Sequence, residues 1–101
     1  MNGDSCIPAL KALSDETRLR IVRLLSESPR NVTEIAEKLN LTHYNTSKHL
    51  KILRAAGLLE CEKQGQQRRY GIPESLQTHL KAEGDCLDLG CCSFRFDSLP
   101  G

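Results

Sequence analysis

Three of the five cysteines lie close together near the C-terminal end of the chain. Cys86 precedes the adjacent pair Cys91 and Cys92, and Gly90 lies before that pair, where it could let the chain fold back. Thiolates are soft ligands that suit Zn(II), Cd(II), Cu(I) and trivalent arsenic or antimony. We therefore predict a candidate metal or metalloid site at Cys86, Cys91 and Cys92, which Cys6 of the partner subunit could join in a dimer.

Two other interpretations of these cysteines stay open. An odd number of cysteines argues against a structural disulfide framework and for reduced thiols, so Cys86 could instead form a regulatory disulfide with a neighbouring thiol. The cysteines could also be small apolar residues packed in the interior, since free cysteine is among the most buried residue types. Carboxylates at Asp85 and Asp88 would offset the charge of a bound cation, which favours the metal site over the disulfide. Cys61 is remote from the others, and we expect it to be structural.

A second stretch with chemical potential runs from Thr42 to Gly57. Thr42 is expected to cap the N-terminus of a helix over about 43–56, and Gly57 is expected to end it. At about 100° per residue, one face of this helix can be buried and the adjacent face is polar and basic. That polar face consists of His43, Tyr44, Ser47, Lys48 and Lys51. Lysine neutralises phosphates, and hydroxyl and imidazole groups can reach base edges, so the pattern favours insertion into a DNA major groove over an ordinary solvated surface.

Three further helices must hold that face in place. Apolar spacing predicts a short helix over residues 5–13 and a second helix from Ser14, its expected N-cap, to about residue 26. Asn31 and Glu34 have the spacing of a capping box at the start of a third helix. Because only a short turn separates the third helix from the helix over 43–56, the two resemble a helix-turn-helix.

A β-hairpin is predicted after the helix-turn-helix. Residues 58–64 and 67–72 are two short runs with alternating character, and the turn Gly65-Gln66 separates them. Arg68 and Arg69 lie close to the tip, where a wing could contact backbone phosphate or a minor groove. A solvated hairpin is the alternative, and the neighbouring basic helix favours the DNA contact.

The net charge of +1 conceals a gradient along the chain. Residues 41–72 carry six basic and two acidic side chains, whereas residues 73–101 carry two basic and five acidic ones. The anion-attracting surface is therefore expected on the segment already suspected of contacting DNA.

The composition also limits the class of protein. The 101 residues contain no Trp, two Phe and two Tyr, so we expect one domain with a modest aliphatic core. An enzyme is not expected, because no acid–base pair, nucleophile constellation or phosphate loop is apparent. No apolar run approaches the roughly 18 residues of a membrane span and no leader is apparent, so we expect a cytoplasmic protein that does not contact a membrane.

Three ordered motifs resemble those of a known family. Residues 10–21, Leu-Lys-Ala-Leu-Ser-Asp-Glu-Thr-Arg-Leu-Arg-Ile, resemble the opening signature of the bacterial ArsR/SmtB family of repressors. Residues 47–58, Ser-Lys-His-Leu-Lys-Ile-Leu-Arg-Ala-Ala-Gly-Leu, and residues 65–70 resemble the later parts of the same pattern. The resemblance covers about residues 8 to 72.

The resemblance implies a homodimeric repressor that pairs through its first and last helices. The fourth helix of each protomer would enter a major groove of a palindromic operator. The family's DNA contacts fall on positions that correspond here to His43, Tyr44, Ser47, Lys48, Arg68 and Arg69. His43 and Tyr44 depart from the commoner Gln and Ser or Pro, so the resemblance does not give the operator sequence.

The resemblance also implies a sensor, since family members usually release DNA when a metal, metalloid or oxidant reaches cysteine or histidine residues. Arsenite-responsive members carry Cys-x-Cys before the recognition helix, but Thr33 to Glu37 of this chain contain no cysteine. A second family site lies between Asp and His side chains of the last helix, where this chain offers only His79. The C-terminal cysteines therefore remain the candidate sensor.

We predict a mainly α fold with a small β-hairpin, a dimeric winged helix-turn-helix. Residues 1–84 are expected to form the DNA-binding domain, and residues 85–101 a cysteine-containing tail packed on the domain or on the partner. The predicted function is an ArsR-type repressor that a thiophilic metal or metalloid, arsenite or antimonite first, releases from double-stranded operator DNA. No cofactor is expected to be required. The alternatives are a thiol-based redox repressor, a repressor without a cysteine sensor, and a winged helix that binds proteins rather than DNA.

Overall fold

The computed structural model describes residues 9–74 with their side chains, and two later strands by their backbone pairing. The helices are α1, described at residues 9–12, α2 at Glu16–Glu27, α3 at Val32–Leu39 and α4 at His43–Ala55. The strands are β1 at Arg30–Asn31, β2 at Glu60–Gln64, β3 at Gln67–Gly71, β4 at Cys86–Asp88 and β5 at Ser93–Arg95. The predicted mainly α fold with a small β-hairpin is confirmed.

The predicted hairpin is formed by β2 and β3. The strands pair antiparallel from Glu60 opposite Gly71 to Gln64 opposite Gln67. Gly65, the first residue of the two-residue turn, has a φ of +63°, in the left-handed region that favours glycine. The predicted position of the turn is therefore confirmed, and we call β2, the turn and β3 the wing.

The sequence pattern does not predict β1. This strand has two residues, too few to show alternation, and it forms because the chain leaving α2 runs beside the wing. Arg30 pairs with Tyr70 and Asn31 with Arg69, so β3 becomes the central strand of a three-stranded sheet. The wing is thus joined through β1 to the start of α3.

The core lies between the helices and the base of the wing. Its members are aliphatic side chains that are at most 3% exposed, as expected for a core without aromatic residues. They are Ala9, Ala12, Leu13, Ile21, Val22, Leu25, Ile35, Leu50, Leu53, Leu58, Leu59 and Ile72. Residues from all four helices take part, so α4 is anchored to the body of the domain along its buried face.

Asp15, and not the predicted Ser14, is the N-cap of α2. The Asp15 side chain accepts a hydrogen bond of 3.1 Å from the amide of Arg18, and its backbone is extended as an N-cap requires. The Ser14 hydroxyl instead donates to the carbonyl of Lys11 at 2.6 Å. Serine and aspartate are both favoured N-cap residues, and Asp15, whose backbone is extended, holds the position.

The predicted capping box at the start of α3 is confirmed. Asn31 Oδ1 accepts a hydrogen bond of 2.8 Å from the amide of Glu34, and Glu34 Oε1 accepts one of 3.0 Å from the amide of Asn31. Two of the otherwise unpaired donors of the first turn are satisfied in this way.

A three-residue turn joins α3 to α4. Asn40 adopts the left-handed conformation with φ 55° and ψ 49°, and the amide of Leu41 donates to the carbonyl of Ala36 at 2.9 Å. Asparagine is one of the few residues besides glycine that tolerates this backbone. Thr42 then caps α4 as predicted, because its hydroxyl accepts a hydrogen bond of 3.1 Å from the amide of Asn45.

The end of α4 explains why β2 begins later than predicted. Gly57 has a φ of +80°, its amide donates to Arg54, and the amide of Leu58 donates to the carbonyl of Leu53 at 3.0 Å. This pair of bonds is a Schellman motif, in which Leu53 and Leu58 are both buried. Since the Leu58 amide is used to end the helix, the strand starts at Glu60 and not at residue 58.

Candidate nucleic-acid interface

The structure places the predicted DNA-contacting side chains of α4 on its exposed face. All five of them are exposed, namely His43, Tyr44, Ser47, Lys48 and Lys51. On the opposite face Thr46, Leu50 and Leu53 have no exposed surface. The buried hydroxyl of Thr46 donates to the carbonyl of Thr42 at 2.8 Å, so this buried polar group is satisfied by the N-cap residue of the same helix.

The exposed face of α4 has no acidic side chain to balance it. The helix contains no Asp or Glu between His43 and Ala55. Within the described part of the chain, Lys48 and Lys51 make no ion pair, and the pairs Arg20–Glu16 and Arg30–Glu27 lie on other elements. Because no carboxylate among the described residues offsets these two lysines, this face can attract an external anion and is suited to phosphates.

The first turn of α3 lies beside the start of α4. Thr33, the second residue of α3, places its Oγ1 3.2 Å from Nε2 of His43, the first residue of α4. Thr33 was not among the predicted site residues, since the two side chains are ten positions apart and no periodic pattern links them.

The same turn of α3 also contacts the wing. Asn31 Nδ2 donates a hydrogen bond of 3.2 Å to Oε1 of Gln67, the first residue of β3. Asn31 therefore caps α3 with its oxygen and holds the wing with its nitrogen. Because Thr33 contacts α4 and Asn31 contacts β3, the start of α4 and the wing both lie beside the first turn of α3.

Cross-strand neighbours distinguish the two predicted arginines of the wing. In the backbone register of the hairpin, the half-buried Arg69 lies opposite Glu62, whereas the exposed Arg68 lies opposite Lys63. Like charges directly opposite each other destabilise a hairpin slightly, and opposite charges stabilise it. Arg68 and Lys63 thus place two like charges opposite each other near the turn, whereas Arg69 lies opposite a carboxylate in the backbone register.

Tyr70 adds no charge to the wing at neutral pH. Burial raises the pKa of its phenol above the ordinary 10.0, and the neighbouring Cys61 raises the pKa further, while Arg68 acts in the opposite direction. Cys61 pairs with Tyr70 across the strands and is a half-buried free thiol. The structural role expected for Cys61 stays a prediction.

The cysteines predicted to bind a metal lie largely outside the described residues. Cys6, Cys91 and Cys92 are among the undescribed ones, and of Cys86 the structure describes only the backbone, as the first residue of β4. In β4 and β5 Cys86 pairs with Arg95, Leu87 with Phe94 and Asp88 with Ser93. These residues are extended, and the sequence between the two strands contains Cys91 and Cys92.

Two features are absent from the part of the chain that the structure describes. In that part no three or more His, Cys, Asp or Glu side chains come together as a metal site would require. None of the described helices combines the length and the apolar character needed to cross a bilayer.

The geometry defines a winged helix-turn-helix, and comparison with known proteins agrees. A helix-turn-helix domain model matches residues 13–62. The homodimeric winged helix-turn-helix DNA-binding domain of a possible ArsR-family regulator from Mycobacterium bovis superposes with a TM-score of 0.71 at 30% identity, over 78% of this chain and 73% of that one.

Relatives of known name are transcriptional regulators. The transcriptional repressor SmtB of Mycobacterium tuberculosis is 35% identical over 76% of this chain, which spans 57% of the length of that relative. The transcriptional activator HlyU of Vibrio cholerae is 34% identical over 80% of this chain and 72% of its own length. The chain belongs to the ArsR/SmtB family of winged helix-turn-helix regulators. The expectation of a regulator rather than an enzyme agrees with the names of these relatives.

Proposed function

We propose that two copies of this chain bind a palindromic operator in double-stranded DNA and repress transcription from it. The observation that carries the proposal is the exposed, acid-free face of α4, whose N-terminal residues are where a recognition helix contacts base edges. A protein with this role would act in the cytoplasm, where the bacterial chromosome lies.

The helix and the wing are suited to different parts of this task. Ser47, His43 and Tyr44 carry the hydroxyl and imidazole groups that can read base edges. The cations that would neutralise phosphates are Lys48, Lys51, Arg68 and Arg69. Of the two arginines in the wing, Arg68 is the more exposed.

The homodimer is proposed from the M. bovis neighbour, which is homodimeric, and from the symmetry of palindromic sites. Repression rather than activation is proposed because the SmtB relatives are named repressors; HlyU is named an activator. A promoter–reporter fusion separates the two: deletion of a repressor raises expression and deletion of an activator lowers it.

A binding experiment tests the proposal. The purified protein would be used to select from duplexes with a randomised core of about 30 base pairs, enough for two half-sites one helical turn apart. We expect enrichment of an inverted repeat. Binding to the selected duplex should weaken steeply with salt, with a slope of about −7 on logarithmic axes if the four cations of each protomer together neutralise eight phosphates. A slope near zero would instead support a winged helix that binds proteins.

The sensor is proposed to be the cysteine group Cys86, Cys91 and Cys92, in a tail of residues 85–101 that follows a DNA-binding domain of residues 1–84. Three soft ligands within seven residues support a thiophilic metal or metalloid, with arsenite or antimonite first and a soft divalent metal next. Ligation would favour a dimer whose recognition helices no longer match successive major grooves. Oxidation of the same thiols is the alternative signal, and Cys6 of the partner subunit could take part in either.

Release from the selected duplex tests the sensor. Arsenite, antimonite, zinc, cadmium and peroxide would be titrated separately against the reduced complex. We expect one metal or metalloid to release the DNA, and the double variant Cys91→Ser/Cys92→Ser to resist it, while the control Cys61→Ser responds normally. Release by peroxide alone would identify the redox alternative. If no agent acts, or the double variant responds like the unaltered protein, the cysteine sensor is excluded.

A further inference from the structure

The side chain of His43 is held from the neighbouring helix. Oγ1 of Thr33 lies 3.2 Å from Nε2 of His43, and both residues are exposed. No other hydrogen bond to the His43 ring occurs within the described residues. The contact crosses the turn between α3 and α4, so it links the two helices of the helix-turn-helix at the end that faces the wing.

A threonine hydroxyl can serve either form of a neutral imidazole. It donates to Nε2 when the ring proton is on Nδ1, and it accepts from Nε2 when the proton is there. In both cases the contact fixes the ring and leaves Nδ1 as the nitrogen available to another molecule. His43 is the first residue of α4, at the end where recognition helices contact base edges.

We propose that Thr33 is a positioning residue that orients the His43 imidazole for sequence reading. The proposal rests on the proposed DNA-binding function and names a residue that determines its specificity. An exposed side chain that is already ordered loses less conformational freedom on binding. Removing the Thr33 hydroxyl should therefore weaken binding to the selected duplex by about threefold to tenfold.

A direct contact between Thr33 and the DNA would give a different experimental result from the positioning of His43. Near the N-terminus of α3 its hydroxyl could donate directly to a DNA phosphate, as threonine side chains commonly do. A phosphate contact would be independent of His43 and of the DNA sequence. Coupling to His43 and a change of base preference therefore distinguish positioning from direct contact.

The experiment is a double-mutant cycle on the selected duplex. Thr33→Val removes the hydroxyl with little change of shape, Thr33→Ser retains it, and each is combined with His43→Ala. We expect Thr33→Val to lose threefold to tenfold in affinity, Thr33→Ser to bind within about twofold of the unaltered protein, and Thr33→Val to lose nothing further once His43 is Ala. Thermal unfolding of each variant checks that the fold is retained.

The base preference of the Thr33→Val variant is a second measurement, which should not change if Thr33 only stabilises the fold. Repeating the selection with Thr33→Val should relax the preference at the same base pair that His43→Ala relaxes. Equal losses from Thr33→Val with and without His43, or an unchanged base preference, would overturn the positioning role while leaving DNA binding intact. If the unaltered protein enriches no sequence at all, the proposed function fails, and this inference fails with it.

Discussion

The helix-turn-helix and the wing both present exposed basic side chains, but interactions of different range define their geometry. The helix ends of the helix-turn-helix are set by contacts between residues three to five positions apart: the capping box of Asn31, the cap at Thr42 and the bonds that end each helix. The wing is closed by its own turn, but its placement depends on Asn31, which pairs with Arg69 and contacts Gln67, 36 positions away. Local contacts therefore define where α3 and α4 begin and end, and distant contacts define how the wing lies against the start of α3.

The largest expected effect is the loss of a buried contact of α4. Leu53→Ala removes a side chain with no exposed surface that also packs in the Schellman motif, and should lower the free energy of unfolding by about 2–5 kcal/mol. Ile52→Ala, one position away and 36% exposed, should cost less than about 1 kcal/mol. Urea unfolding measures both. Similar losses from the two variants would mean that the buried face of α4 is wrongly assigned.

The ends of α3 and α4 allow a matched test of the two helix stops. Asn40 and Gly57 both have positive φ, 55° and 80°, so replacement of either by Ala should cost about 1–2 kcal/mol. Asn40→Gly should change stability by less than about 0.5 kcal/mol, because glycine adopts the same backbone freely. If the Ala variants are as stable as the unaltered protein, these two residues do not determine where α3 and α4 end.

Asn31 joins the two regions, and its two roles can be separated. Asn31→Ala removes the cap and the contact with Gln67, and should cost about 1 kcal/mol or more of stability. Asn31→Ser keeps a good cap without adding a charge and loses the amide donor to the wing, so its stability should stay within about 0.5 kcal/mol. Thermal unfolding and DNA affinity would be measured together. We expect the Ser variant to lose DNA affinity without losing stability, and an unchanged affinity would show that the wing needs no such contact.

Features that depend on nearby residues could be predicted from the sequence. The capping box of Asn31 and Glu34, the cap at Thr42, the end at Gly57 and the turn at Gly65 each follow from residue types at fixed short spacings. The exposed face of α4 followed from helical periodicity. The predicted cap at Ser14 was wrong because Asp15 is an equally good capping residue one position away, and the backbone conformation decides between them.

Features that depend on distant residues were not predicted. The strand β1 exists only because β3 lies beside it, and the contacts of Thr33 with His43 and of Asn31 with Gln67 have no periodic signal. The start of β2 was misplaced by two residues because Leu58 has the apolar character of a strand residue, while its amide is needed to end α4. The C-terminal cysteines stay a prediction, supported by their spacing in the sequence.

The most direct test of the account compares one side chain from each region on the same DNA. Ser47→Ala, Arg68→Ala and the control Arg69→Ala would be measured by fluorescence anisotropy against the selected duplex and a scrambled duplex over a range of salt. We expect Ser47→Ala to weaken binding to the selected duplex only, since a base contact contributes about 1–3 kcal/mol of discrimination. Arg68→Ala removes one cation from each protomer of the dimer, so it should weaken binding to both duplexes equally and reduce the magnitude of the salt slope by about two, with a smaller change for Arg69→Ala. If Ser47→Ala weakens both duplexes alike and Arg68→Ala leaves the salt slope unchanged, the assignment of reading to α4 and phosphate contact to the wing is contradicted.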